Sequence, residues 1–191
     1  MAEVGAAVDR QFGDVRVPVL IAMAGLPGAG KSTIAEIIGA RLGAAIVSVD
    51  PIESAILSAG IDSDQPTGLA AYLVAETIAE QALLSGHSVI VDAVNAVEPA
   101  RLQWRDLAAR ADVKLRVIEV VCSDQDLHKA RLEKRIRKLP HVDETSWHAV
   151  EQSIEEYDEW RGASAALPRI TVDTTATIGE NVETALAFLD G

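Results

Sequence analysis

Short unbroken apolar runs alternate along the chain with stretches whose apolar positions recur every three or four residues, the two patterns that separate buried strands from amphipathic helices. Val19–Ala24 is the first run, and Ile34, Ile37, Ile38 and Leu42 mark a helix behind it, with a glycine-rich turn between them. Ala45–Val49 reads as a second strand ending at Asp50-Pro51, where Glu53 is placed to close a capping box on a new helix. Polar residues make Ile61–Gly68 a loop. A long alanine-rich helix follows, its buried stripe assigned to Leu69, Tyr72, Ala79, Ala82 and Leu83 and its end to Gly86.

Ser88–Asp92 is the third strand, Pro99–Ala111 a helix and Leu115–Val121 the fourth strand. Asp124–Leu139 is a charged helix halted by Pro140, and Trp147, Val150, Ile154 and Tyr157 stripe the next one. Ile170–Asp173 is a fifth strand, followed by a helix with a Thr177 to Glu180 capping box and an apolar face of Val182, Ala185, Leu186 and Leu189. Alternating strands and helices imply an α/β fold with a parallel sheet, right-handed crossovers and ligands at the carboxyl edge of the strands.

Composition narrows the class. A chain of 191 residues suits one α/β domain, and 49% apolar residues suit a sheet covered on both faces, while 4% aromatics leave little for stacking on bases. A net charge of -12 opposes binding to nucleic acid or anionic membranes. The lone Cys122 cannot form an internal disulfide. The first twenty residues mix Glu3, Asp9, Arg10, Asp14 and Arg16 in place of a signal sequence, and no run approaches the roughly 18 apolar residues of a membrane span. A cytoplasmic location is expected; oligomeric state has no signal in the pattern.

The turn after the first strand carries the chemistry. Gly25-Leu26-Pro27-Gly28-Ala29-Gly30-Lys31-Ser32 matches G-x-x-x-x-G-K-[ST] in full, between a strand and a helix. In such a P-loop the backbone amides face phosphate oxygens, Lys31 reaches the β and γ phosphates, Ser32 ligates Mg²⁺, and Thr33 adds a phosphate contact. No N-K-x-D segment is present to read guanine, so ATP is favoured over GTP. Val91-Asp92-Ala93 has no second acidic residue to orient a hydrolytic water.

Asp50 and Asp92 end the second and third strands. One can steady magnesium, the role assigned to Asp92 beside Ser32, and the other, Asp50, can accept a proton from an attacking hydroxyl. Asp50 also fits a helix N-cap, and Asp92 a strand-end carboxylate bonded to a backbone N–H. Asn95 fits a substrate contact or a turn equally. Six of the 17 Lys and Arg residues fall within Lys129–Lys138, with Arg131, Lys134, Arg135 and Lys138 on one helical face and Leu132, Ile136 and Leu139 on another. Arg131 and Arg135 are the candidates to neutralise a migrating phosphoryl group and close over the nucleotide, against the simpler reading of a solvated face.

These segments resemble the small P-loop kinases related to zeta toxin, chloramphenicol phosphotransferase and the kinase domain of polynucleotide kinase. The resemblance spans Ile21 to Leu189 and rests on residues 24–33, Ser48-Val49-Asp50, Val91-Asp92-Ala93-Val94-Asn95 and Arg131-Leu132-Glu133-Lys134-Arg135. It implies an AAA-type ATP-binding unit with a three-layer P-loop NTPase fold, a sheet ordered 2-3-1-4-5 and a helical lid over about 124–142. It also implies Asp50 as the substrate base, Arg131 and Arg135 in the lid, and residues 172–177 near the adenine.

The D-G-[FY]-P-R segment of adenylate kinases and any gluconate- or shikimate-kinase signature are absent, which disfavours those acceptors. His87, His128, His141 and His148 lack metal-ligand spacing. Cys122, Trp104, Trp147 and Trp160 read as packing residues, the tryptophans on amphipathic helices; Arg101 and Arg105 read as surface residues. The expected activity is transfer of the γ-phosphate of ATP to a hydroxyl of a small molecule. A nucleotide-dependent switch or slow ATPase acting through a protein partner, and a polynucleotide 5′-hydroxyl kinase, are the alternatives.

Overall fold

The computed structural model describes residues 17–134, 139–140 and 147–191. Among these the elements run β1 (Val19–Ala24), α1 (Lys31–Leu42), β2 (Ala45–Ser48), α2 (Val49–Ser58), α3 (Thr67–Leu84), β3 (Val89–Asp92), α4 (Glu98–Arg110), β4 (Lys114–Val121), α5 (Gln125–Lys134), α6 (Trp147–Glu156), β5 (Arg169–Asp173) and α7 (Ile178–Asp190). The five strands form one parallel sheet in the order β2-β3-β1-β4-β5. Its centre, β1, pairs Ala22 with Val91 on one side and with Val117 on the other.

Side chains alternate across a strand, so the run in β1 feeds two cores. Leu20, Ala22 and Ala24 join Val89, Val91 and Val117 under α3 and α4, including Ala75, Ala79, Trp104 and Leu107. Ile21 and Met23 join Ile90, Ile118 and Val172 under α1 and α7, including Ile34, Ile38, Val182 and Ala185. The result is the three-layer α/β arrangement, with the loops that follow β1, β2 and β3 gathered at one sheet edge. The capping box of α7 is present, with the Thr177 side chain accepting from the Glu180 amide and the Glu180 carboxylate accepting from the Thr177 amide.

Three local expectations are corrected. The buried stripe of α3 is Thr67, Ala71, Ala75, Ala79 and Leu83, at strict four-residue spacing, while Leu69 is 61% exposed. This helix is apolar on nearly every face, so periodicity cannot select the buried one, and alanines permit the closest approach to the sheet. The helix after β2 starts at Val49 with Ser48 at its N-cap, which puts Asp50 inside the first turn; Glu53 closes no box and instead accepts from the Thr67 hydroxyl at 2.8 Å. Trp160 lies beyond α6 in the connection to β5, not on a helix. Among the described residues no helix is long and apolar enough to cross a membrane.

Candidate functional site

Gly25 leaves β1 with φ at +130°, and its amide donates to the Val94 carbonyl at 3.0 Å. A Cβ here would stand 2.1 Å from the Val120 carbonyl oxygen, so the adjacent strand leaves room only for hydrogen. Gly25→Ala is therefore expected to destabilise the fold by about 3 kcal/mol, through backbone strain and a clash that no side-chain rotation relieves. Urea unfolding with an unchanged m-value checks this, and a loss below about 0.5 kcal/mol would refute it.

Gly30, at φ +105°, caps α1 in the left-handed conformation. As a glycine the cap residue has no side chain to offer the first-turn amides, and no acidic residue sits in that turn. These donors and the positive end of the helix favour an anion. Lys31, 8% exposed, donates its ammonium to the carbonyls of Gly25 at 2.8 Å and Leu26 at 2.9 Å. The loop thus holds its own cation against its mouth, and Ala29 anchors its base in the core.

A cavity of about 480 Å³ opens beside the loop, within the ~300–1,000 Å³ of small-ligand sites. Gly28, Gly30, Lys31, Ser32, Thr33 and Ile34 form one wall, and Arg131, Lys134, Thr174, Ala176, Ile178 and Asn181 form the rest. The Arg131 guanidinium donates to the Thr174 hydroxyl at 2.8 Å and to the Thr174 carbonyl at 2.9 Å, and lies 3.7 Å from the Cys122 sulfur. Thr174 in turn lies 2.9 Å from the Ala29 carbonyl and 3.1 Å from that of Val121, so its single proton is shared between loop and sheet. Cys122 is half-buried at this rim and not in the core. Arg135 lies outside the described residues.

Sequence reasoning weighed His128 only as a metal ligand and missed its contact with the loop. His128 is buried, and its Nε2 lies 2.8 Å from the Pro27 carbonyl, where it must donate because a carbonyl only accepts. His128 and Leu132, four residues apart, both reach Gly28, which seats α5 on the P-loop. The available signal was this four-residue spacing next to Arg131.

The two carboxylates lie toward the other half of the sheet edge. Ser48 and Asp92 are register partners at the ends of β2 and β3, and Asp92, 6% exposed, accepts from the Ser48 hydroxyl at 3.4 Å. Asp50 is half-buried two residues further on. Neither lines the cavity that Arg131 enters. Burial raises the Tyr72 hydroxyl above its ordinary pKa, and the nearby Asp92 and Glu53 carboxylates add to the rise against the lowering effect of its bond with Asn95. Among the described residues no three His, Cys, Asp or Glu side chains cluster as a metal cage. A hard cation here would draw most of its ligands from phosphate oxygens and water, as magnesium does.

Two further residues are structural. Asn95, 1% exposed and at φ 49°, donates its amide group to the Met23 carbonyl at 2.6 Å and accepts from Trp104 at 2.8 Å. Its side chain serves the turn after β3. Arg101, expected at the surface, is 2% exposed and donates to the carbonyls of Asn95, Ala96, Asp158 and Glu159 while lying 3.9 Å from the Trp160 ring centroid. Arg105 is exposed and paired with Asp106. Trp160 and Tyr157 donate to Glu119, which also pairs with Arg169. This buried network ties the turn after Asp92 to the chain that returns from α6.

The comparisons with known proteins agree with this anatomy. An uncharacterized protein of Mycobacterium tuberculosis (strain ATCC 25618 / H37Rv) is 33% identical over 115 residues, or 54% of this chain; the match spans 23% of the relative's length, so the chain corresponds to a minor part of the curated relatives it matches. A candidate kinase from Chloroflexus aurantiacus j-10-fl superposes with a TM-score of 0.71 at 23% identity, over 91% of this chain and 99% of that one. The APS kinase CysC of Mycobacterium tuberculosis, in complex with AMPPNP and APS, superposes with a TM-score of 0.62 at 19% identity, over 91% and 98%. Both likenesses show the fold. With the AAA domain family matching residues 20–158, well over half of the chain, the protein belongs to that family and carries the fold of P-loop kinases.

Proposed function

We propose that the protein is an ATP-dependent kinase that moves the γ-phosphate of ATP onto a hydroxyl of a small molecule. The observation that carries the reading is one cavity walled by the first turn of α1, Lys31 and Arg131, with Asp92 at the end of β3 and Asp50 in the first turn of α2 at the same sheet edge. The loop from Gly25 through Gly30, with Leu26, Pro27, Gly28 and Ala29, and then Lys31, Ser32 and Thr33, grips the triphosphate. The acceptor hydroxyl attacks the γ-phosphorus and gives its proton to Asp50, while the bond to the bridging oxygen breaks and its electron pair leaves on ADP.

Lys31, Arg131 and Arg135 neutralise charge on the migrating group, whose three equatorial oxygens carry it. Ser32 and Asp92 would hold Mg²⁺, which when bound screens the β and γ oxygens. The absence of an acidic neighbour after Asp92 supports a kinase over a hydrolytic motor. Purified protein with Mg-ATP and a panel of alcohols, antibiotics, nucleosides and sugars is expected to form ADP in proportion to one class of acceptor. ADP formation that no acceptor alters would favour a nucleotide-dependent switch or slow ATPase instead.

A further inference from the structure

The wall of the cavity away from the loop is built by the turn between β5 and α7, and one side chain there is prepared for a ligand. Asn181, 5% exposed, borders the cavity from the first turns of α7. Its Nδ2 donates to the Asp173 carbonyl at 3.0 Å. The same carbonyl accepts from the Ala176 amide at 3.1 Å, so both of its lone pairs are used. A carbonyl cannot donate, so the amide of Asn181 cannot turn over without setting two acceptors face to face.

Oδ1 is left with no hydrogen-bond partner among the described residues, yet it is not sealed from solvent. A buried amide with one end tied and the other unpaired at a cavity wall is an acceptor awaiting a donor. The tether is firm: Asp173 accepts from the Ser123 amide at 3.2 Å and the Thr175 amide at 3.0 Å, and hydrogen bonds from Ser123 and Thr175 lower its carboxyl to about 2, so this turn carries a fixed charge anchored to the loop after β4.

We infer that Asn181 reads the nucleobase, its Oδ1 accepting from the 6-amino group of adenine and repelling the 6-oxo group of guanine or hypoxanthine. The inference rests on the reading that this cavity holds a nucleoside triphosphate. Phosphate contacts at the loop are the same for all such ligands, so an acceptor on the opposite wall is what can tell their bases apart. A site that offers a buried acceptor discriminates against a ligand that lacks the matching donor, because the acceptor is then desolvated without a partner.

Calorimetry with the magnesium complexes of ATP, ITP and purine riboside triphosphate, which has no 6-substituent, tests this on the intact protein. The expected order is ATP tightest, the unsubstituted purine next and ITP weakest, with ATP about tenfold or more above ITP. Asn181→Ala is expected to bring ATP and ITP within about twofold, by weakening ATP and strengthening ITP. Equal binding of ATP and ITP by the wild-type protein overturns the inference and leaves the phosphate site standing. An unchanged gap in a folded Asn181→Ala overturns it as well. If the variant fails to fold, the three-ligand order on the wild type still decides. Failure of all three nucleotides to bind removes the phosphate-site reading itself.

Discussion

Lys31→Ala is expected to lower kcat for phosphoryl transfer by about 10³-fold while the protein remains folded. The ammonium is nearly buried and stands on the Gly25 and Leu26 carbonyls, so its position is set before any nucleotide arrives. A preorganised charge in a site of low polarity loses no energy to reorganisation when negative charge builds on the γ-phosphate. The charge gained there grows in the transition state, so the loss falls on kcat more than on ATP affinity. Stability should change little, since the two carbonyls that lose a donor sit at the loop mouth, where water can replace it. Lys31→Arg is expected to fail almost as badly, because a planar fork cannot take the place of a point charge in this pocket. Steady-state kinetics with the responsive acceptor, beside calorimetry with Mg-ATP, separates the two effects. A variant that turns over within tenfold of the wild type would remove Lys31 from the mechanism.

How far the sequence alone reached depended on whether the determining contacts were local. The apolar run Val19–Ala24 and the glycine-rich turn behind it act within some fifteen residues, and the strand, loop and helix there lie where the pattern puts them. The capping box at Thr177 and Glu180 is equally local. The strand order came from the resemblance, since crossover rules alone permit several orders for five parallel strands. Burial of Arg101 was invisible because its four acceptors come from two segments separated by about sixty residues, and the stacking rings come from one of them. The same holds for His128, whose partner Pro27 lies 101 positions away, and for Asn181, which becomes notable only through the one atom left unpaired. The exposed Leu69 misled for another reason: on a helix apolar all round, size suggests burial, but closeness of approach decides it.

Asp50→Asn is expected to reduce kcat by about 10³-fold, with folding stability altered by less than about 1 kcal/mol. Ser48, not Asp50, occupies the N-cap position, and Asp50 stands in the first turn, where its charge favours the helix dipole and an amide of the same shape keeps the packing. Asparagine keeps its shape and removes its basicity, which isolates proton acceptance from packing. Two signatures then separate a base from a structural charge. The fall should appear in kcat, with the acidic limb of the pH profile of kcat/KM lost in the variant, because that limb reports protonation of the base in the free enzyme. Asp50→Glu should recover part of the rate, as a carboxylate displaced by one methylene still accepts a proton from less favourable geometry. Asp92→Asn provides the contrast: it stands at the strand end against Ser48, and its loss should raise the magnesium concentration needed for half-maximal rate and leave the acidic limb in place. A variant at Asp50 that kept both rate and pH profile, and lost only stability, would reduce that residue to a helix charge and leave the acceptor hydroxyl without a base in this fold.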